Sequence, residues 1–274
     1  MRRIFFILIL TFSCNLLISL GQEPQRDAQV VQERLFARIS ADISDSEKLK
    51  ANDSIRTLIE SYAVSDSVFV HKFSNLRYLG QITSKDSRLK IISWNLLLKD
   101  SASRYYCYFI HNNREENKVC KLSSEYKREP VRKDTTYSGD NWYGALYYDL
   151  RPVKRGNQVF WMLLGIDYGN PAVTRKIIDV LSFDPEGKPV FGKKWFETGK
   201  MTGFREVLEY GYTAVISLRF LTDKLIVFDH LVPVSPEYEN NREFYGPDYS
   251  YDAYRFEKGV WKLKINLDVR NEKE

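Results

Sequence analysis

The sequence predicts a mostly β, α+β fold in which N-terminal helices dock on a large antiparallel, meander-type curved sheet or barrel of about ten strands. Two observations predict it. Apolar residues recur at helical spacing up to about residue 76 and with period two thereafter. The strand-like runs are also joined by connections too short to link anything except antiparallel neighbours. The expected organisation is a signal peptide over residues 1–21, a helical segment over 22–76 and an antiparallel β domain over 77–274.

The first element is an export signal. Arg2 and Arg3 precede an apolar run from Ile4 to Leu20, and the small residues Ser19 and Gly21 stand before Gln22 at the spacing of a cleavage site. The run is broken by Ser13, Cys14 and Asn15 and falls short of the roughly 20 apolar residues of a membrane span. Export to a periplasmic or envelope-associated location follows, with no transmembrane segment in the mature chain.

Helices come next. Leu35, Phe36, Ile39 and Ile43 stripe one face of a segment from about residue 28 to 42. Ser44 and Glu47 then match a capping box, and Ile55, Leu58, Ile59 and Tyr62 repeat at the spacing of one helix face. Phe69, Phe73 and Leu76 suggest a further short helix. Helices this short cannot bury their own stripes, so they are expected on the sheet.

The strands follow. Leu89 to Leu98 sets Ile92, Trp94, Leu96 and Leu98 on one side. Hairpins are expected at Arg155-Gly156-Asn157, at the Asp184 to Gly187 turn, at Thr222-Asp223 and at Glu257-Lys258-Gly259. A hairpin turn centred on Asn113-Arg114 sets Cys107 opposite Cys120, within disulfide reach. A longer turn would leave two buried thiols instead.

Composition bounds the function. The 274 residues are 43% hydrophobic, 28% charged and 14% aromatic, which is the balance of a globular protein. There are 41 basic and 36 acidic residues, and cleavage removes only Arg2 and Arg3, leaving a net charge of +3. Nucleic acid is therefore not an expected partner.

The strings FSNLRYLGQI from Phe73, IISWNL from Ile91, WYGALYY from Trp142, TRKIIDVLSFD from Thr174, FDHL from Phe228 and YGPDYSYDAYRF from Tyr245 resemble those of an uncharacterised family of secreted proteins from Bacteroidota. The resemblance spans most of the mature chain and implies an envelope location in a Gram-negative cell. It carries no activity, ligand or catalytic residue.

Catalytic motifs are missing. Three histidines and three cysteines form no metal-binding spacing, and the chain has no phosphate loop or nucleophile elbow, so no metal or cofactor is expected. Three acids stand out in apolar strands: Asp167, Asp179 and Asp229. Asp229 is expected on an apolar face with Ile216, Leu218, Phe220, Leu225, Val227 and Leu231. Such carboxylates are either tied to an arginine, for instance Arg175, Arg205 or Arg219, or converge as the acid pair of a glycoside hydrolase.

The segment from Ser235 to Asp252 is acidic and rich in aromatics, with Tyr238, Phe244, Tyr245, Asp248, Tyr249 and Tyr251 as candidate ligand contacts. It reads as a loop closing one end of the sheet and forming the rim of any binding site. Its carboxylates lack the spacing of a calcium loop. The function expected is a non-enzymatic envelope binding or assembly module, with an envelope glycan or an envelope protein as partner. The alternative is a hydrolase of envelope glycans acting through a carboxylate pair.

Overall fold

A computed structural model describes residues 30–271, except residues 75, 77, 100–102, 113–116, 128 and 170–171. The expected signal segment and the Gly21-Gln22 junction lie outside the described residues. Two helices, α1 (30–40) and α2 (Asp45–Ala63), precede sixteen strands in three sheets among the described residues.

Strands are numbered along the chain. The first sheet is the meander β1 (Gly80–Thr83), β2 (Leu89–Leu97), β3 (Ser103–Asn112) and β4 (Asn117–Glu125). The second runs β5 (Tyr137–Ser138), β9 (Pro189–Phe191), β8 (Val173–Phe183), β7 (Gln158–Asp167) and β6 (Leu146–Arg155), with β12 (Glu206–Gly211) also on β8. The third runs β11 (Met201–Gly203), β10 (Phe196–Thr198), β16 (Val260–Lys264), β15 (Tyr245–Glu257), β14 (Leu225–Pro233) and β13 (Leu218–Thr222). The mostly β, α+β class is as the sequence predicts. The strand number exceeds the expected ten because β1, β5, β10 and β11, only two to four residues long, and β12 were not anticipated. One pair, β10 with β16, is parallel.

The layers follow from strands that are apolar on both faces. In β2, Ile92, Trp94 and Leu96 face the helices, while Leu89 and Ile91 face the second sheet. In β7, Trp161 and Leu163 face the first sheet, whereas Phe160, Met162 and Leu164 face the third. The chain is thus a stack of helices and three sheets. Burying both faces is why these strands read as near-continuous apolar runs.

Helix α2 starts at the anticipated capping box: Ser44 Oγ accepts the Glu47 N–H and Glu47 Oε2 accepts the Ser44 N–H. Its stripe buries Ile55 and Ile59, and Asn52 Oδ1 accepts the Trp94 indole N–H at 2.8 Å. The short helix expected around Phe69 to Leu76 does not form. Residues 65–70 are turns, and distant donors hold the chain there. Lys90 Nζ donates to Val68 O and His71 O, each at 2.7 Å, and to Tyr62 Oη at 2.6 Å. The Gln81 carboxamide bonds the Phe73 N–H and C=O, both at 3.0 Å.

Register corrects two further expectations. Cys107 stands opposite Leu122 and Cys120 opposite Phe109, because four residues separate the Asn112–Asn117 pair instead of the two assumed. Both cysteines are free, so there is no Cys107–Cys120 disulfide. The turn after β13 lies one residue later than expected, with Leu218 opposite Phe228, Phe220 opposite Ile226, and an irregularity before Thr222. Leu218, Phe220, Ile226 and Phe228 therefore point inward, while Leu225 and Val227 pack with Ala253 on the outer face. The single apolar face drawn around Asp229 does not exist.

The segment from Ser235 is shorter as a loop than its composition suggested, because from Tyr245 onward it is strand β15 paired with β14. Two helical turns, Pro236–Tyr238 and Arg242–Phe244, precede it. The second lies against β12 so closely that a Cβ on Gly211 would sit 2.3 Å from the Glu243 carbonyl oxygen. Gly211→Ala is expected to push this turn off β12 and lower stability by about 1 to 3 kcal/mol, the usual cost of overpacking. Urea denaturation with amide exchange measured over 236–245 checks both effects.

The barrel is not formed: the first two sheets stay separate. Closure would require a ladder between their edge strands, β1 and β6, and the β6 edge is blocked. Arg155 and Gln158 flank a two-residue turn, so the alternation of the ladder points Lys154, Pro152 and Leu150 outward. Pro152 has no N–H to offer. The Leu150 N–H is taken by Asp149 Oδ1 at 2.8 Å and its carbonyl by Arg151 Nη1 at 2.9 Å. A bulge at Tyr148 shifts the register further along.

Candidate functional site

Where β1 and β6 meet without pairing, they enclose a cleft of about 540 Å³. That is within the common range for small-molecule sites. One wall is Tyr78 to Ile82, the other Leu146 to Tyr148, and Asn95, Ile166 and Tyr168 complete it. The sequence brings β1 close through a residue with no side chain: a Cβ on Gly80 would lie 2.9 Å from Ser93 Oγ and 3.4 Å from the Tyr147 carbonyl oxygen. Ser93 Oγ is buried and has no hydrogen-bond partner among the described residues.

The cleft is aromatic, and it is rigidly backed. Tyr147 is buried behind it, its hydroxyl accepting from Trp142 Nε1 at 2.9 Å and lying 3.1 Å from Tyr143 Oη. Tyr148, at the bulge, donates to Leu218 O at 3.0 Å and so pins the cleft to the third sheet; burial raises its pKa. The Tyr168 N–H donates to Tyr105 Oη at 3.0 Å. Tyr78, Tyr168 and Tyr148 remain 53%, 45% and 38% exposed, so their rings are available at the mouth.

Polar groups in the cleft are neutral. No lining residue is Asp, Glu, Lys, Arg or His. Asn95 offers a carboxamide, and β1 offers backbone. The Ser84 N–H donates to Leu89 O at 2.8 Å, which makes Ile82–Ile91 and Gly80–Ser93 the bonded pairs of the ladder. The N–H and C=O of Gln81 therefore point away from β2.

The acids singled out in the sequence lie elsewhere. Asp179 is fully buried, accepting from Arg205 Nε and Tyr143 Oη at 2.9 Å each, with Oδ1 on its neighbour Val180 N–H at 2.7 Å. Asp167 accepts from Tyr105 Oη at 2.6 Å, Gly169 N at 2.8 Å and Arg175 Nη1 at 3.3 Å. Burial raises both carboxyl pKa values, and these donors pull them back. Asp179 faces Leu163, four residues from Asp167 along β7, so the two are about 13 Å apart. Paired glycosidase carboxylates stand closer. Asp229, partly exposed, accepts the Ser217 N–H at 2.8 Å.

A second cleft of about 280 Å³ lies beside β10 and β11 and includes Asp134 and Glu206. Both acids are held. Arg132 grips Asp134 through two bonds of 2.9 and 3.0 Å and lowers its pKa. Glu206 accepts from Lys133, from the Val207 N–H at 3.0 Å and from Tyr254 Oη at 2.5 Å.

Of the candidate ligand contacts in the 235–252 segment, none lines either cleft. Tyr245 is buried on the inner core, Tyr238 and Phe244 stack on each other at 4.1 Å, and Tyr251 packs on the outer face. Asp248 accepts from Ser250, and Tyr249 is exposed with a positive φ of 69°. Asp252 instead binds His230 Nδ1 at 2.8 Å, a cross-strand pair at a register irregularity between Asp229 and Leu231 that the sequence does not reveal. Among the described residues no group of three or more His, Cys, Asp or Glu could hold a metal, and no helix is long and apolar enough to cross a membrane.

The cleft tyrosines were also missed. The usable signal was the Tyr147-Tyr148 doublet, since neighbours on a strand point to opposite faces and one ring must leave the first core. Asn95 inside an otherwise apolar run was another. No family model matches the chain, and neither a curated protein nor a solved structure matches it.

Proposed function

We propose that the protein is an exported, non-enzymatic binding module of the cell envelope that holds its ligand in the cleft between β1 and β6. The observation that carries this reading is a cleft with three half-exposed tyrosine rings over a rigid floor, containing no ionised side chain to run acid–base chemistry. The candidate acids support it, because each is already committed to protein donors. The apolar run behind Arg2 and Arg3 supports export.

The test is an NMR titration of isotope-labelled protein with detergent-free envelope extract. Expected are amide shifts confined to residues 78–82, 95, 146–148 and 166–168, with the extract's glycans left at their original length. New reducing ends appearing during the titration, or shifts centred on another surface, would overturn the proposal.

A further inference from the structure

We infer that the ligand of this cleft is an uncharged saccharide, an inference that rests on the binding-module reading above. Three features select this chemistry. The first is charge: with no Asp, Glu, Lys, Arg or His in the lining, an anionic or cationic ligand would lose its hydration shell without gaining a counter-charge.

The second is the pairing of donors with acceptors. The Asn95 carboxamide and the outward N–H and C=O of Gln81 each present a donor beside an acceptor. A sugar hydroxyl both donates and accepts, so vicinal hydroxyls can engage each of these pairs. The rings of Tyr78 and Tyr168 supply flat apolar faces with a negative quadrupole, which suit the polarised C–H face of a pyranose, while the Tyr148 ring already has the Lys176 ammonium over it at 5.7 Å. The Gln81 side chain is not available for this role, because both of its polar atoms are held by Phe73.

The third feature excludes an extended peptide, the other neutral ligand that an open strand edge attracts. A strand inserted between β1 and β6 would need about 4.7 to 4.9 Å on each side. The Tyr147 carbonyl oxygen lies only 3.4 Å from where a Cβ on Gly80 would be, so β6 sits against β1 at Gly80 too closely for a strand to lie between them there. The space that remains is a cleft of about 540 Å³ whose mouth carries tyrosine rings. On the far side, Pro152 and the capped Leu150 deny a peptide the β6 edge as well.

The experiment is calorimetric titration of the full mature chain with neutral oligosaccharides (cello-, malto-, manno- and xylohexaose and a galactan fragment), with polygalacturonate, with a mixed peptide pool and with envelope extract. Each probe is repeated on Tyr168→Ala, Asn95→Ala and, as a remote control, Tyr249→Ala. Tyr168 and Tyr249 are surface rings and Asn95 only half buried, so melting curves serve to establish that the variants fold.

Binding of at least one neutral oligosaccharide is expected, weakened about tenfold or more by Tyr168→Ala and by Asn95→Ala and unchanged by Tyr249→Ala. If only the polygalacturonate, the peptides or a charged or peptide component of the extract bind, with the same dependence on Tyr168, the saccharide inference falls and the cleft stands as the binding site. If no probe responds to Tyr168→Ala, both fall.

Discussion

Asp179→Ala is expected to destabilise the protein by about 3 to 5 kcal/mol, read as a lowered urea midpoint. The substitution leaves the Arg205 guanidinium, whose side chain is 0% exposed, without its counter-ion. Arg205 also donates to the carbonyls of Arg132, Thr135 and Phe191, so it fastens the 131–136 strap to the second sheet. Removing the charge from the other side, as in Arg205→Met, should cost a similar amount, since it strands a buried carboxylate and uncovers those carbonyls. The double variant Asp179→Leu with Arg205→Met should recover only part of the loss, because the charges are gone but the carbonyls of the strap remain unmet. Full recovery would show that the pair acts by charge alone. Equal loss in the double variant and in Arg205→Met would show that the uncovered carbonyls carry the whole effect of losing Arg205.

Lys90→Met should be the next most damaging change. The Lys90 ammonium sits in the first sheet with its three protons on Val68 O, His71 O and Tyr62 Oη, and it ties the irregular 65–71 segment to β2. Tyr62 Oη also reaches Val68 O at 3.0 Å and His71 O at 2.6 Å but has one proton to donate, so the change leaves one carbonyl unmet and should cost about 1 to 3 kcal/mol. A pH signature separates this residue from general packing. Burial pushes the Lys90 pKa down to about 8, below its value of about 10.4 in the unfolded chain. Between those values the unfolded state binds more protons than the folded one, so stability rises with pH across this window. From pH 8 to 9.5 the wild-type protein should gain about 1 to 2 kcal/mol from this group. Lys90→Met should lose that slope. Above pH 10 the trend reverses, because buried tyrosines such as Tyr62 and Tyr108, both pushed up to about 12, ionise first in the unfolded chain.

The fold was legible where local chemistry sets it. The Ser44 capping box, the tight turn at Gly156 and the turn at Gly187 each need only a few adjacent residues, and all three form as read. Register across longer turns was not legible. The Cys107–Cys120 and Asp229 readings each assumed a turn length, and an error of one or two residues changed which side chains face each other. Alternation also hid the layering. A strand buried on both faces, such as β2, looks the same whether it belongs to a barrel or to a stack of sheets. Closure was decided instead by Pro152, Asp149 and Arg151 on one edge strand, residues that carry no hydrophobic signal. Of the three arginines suggested by charge logic, without a pairing, Arg175 and Arg205 hold Asp167 and Asp179, while Arg219 bonds Ser217. The cleft, a product of two edges failing to pair, could not be read from either edge by itself.

The parallel contact between β10 and β16 also bears on the order of events during folding. The first sheet and its helices come from one continuous stretch, residues 30 to 125, and their contacts are local. In the third sheet Phe196 pairs with Trp261, near the far end of the chain. Until β16 arrives, β10 and β11 have only each other, and the apolar face of the second sheet that β10, β14 and β15 will cover is open to solvent. Closing that large loop is entropically slow compared with closing a hairpin. The last few dozen residues therefore act as the latch of the molecule. A chain truncated before Tyr245 is expected to expose the apolar face of the second sheet that β15 covers, read as binding of a hydrophobic dye by the truncated protein.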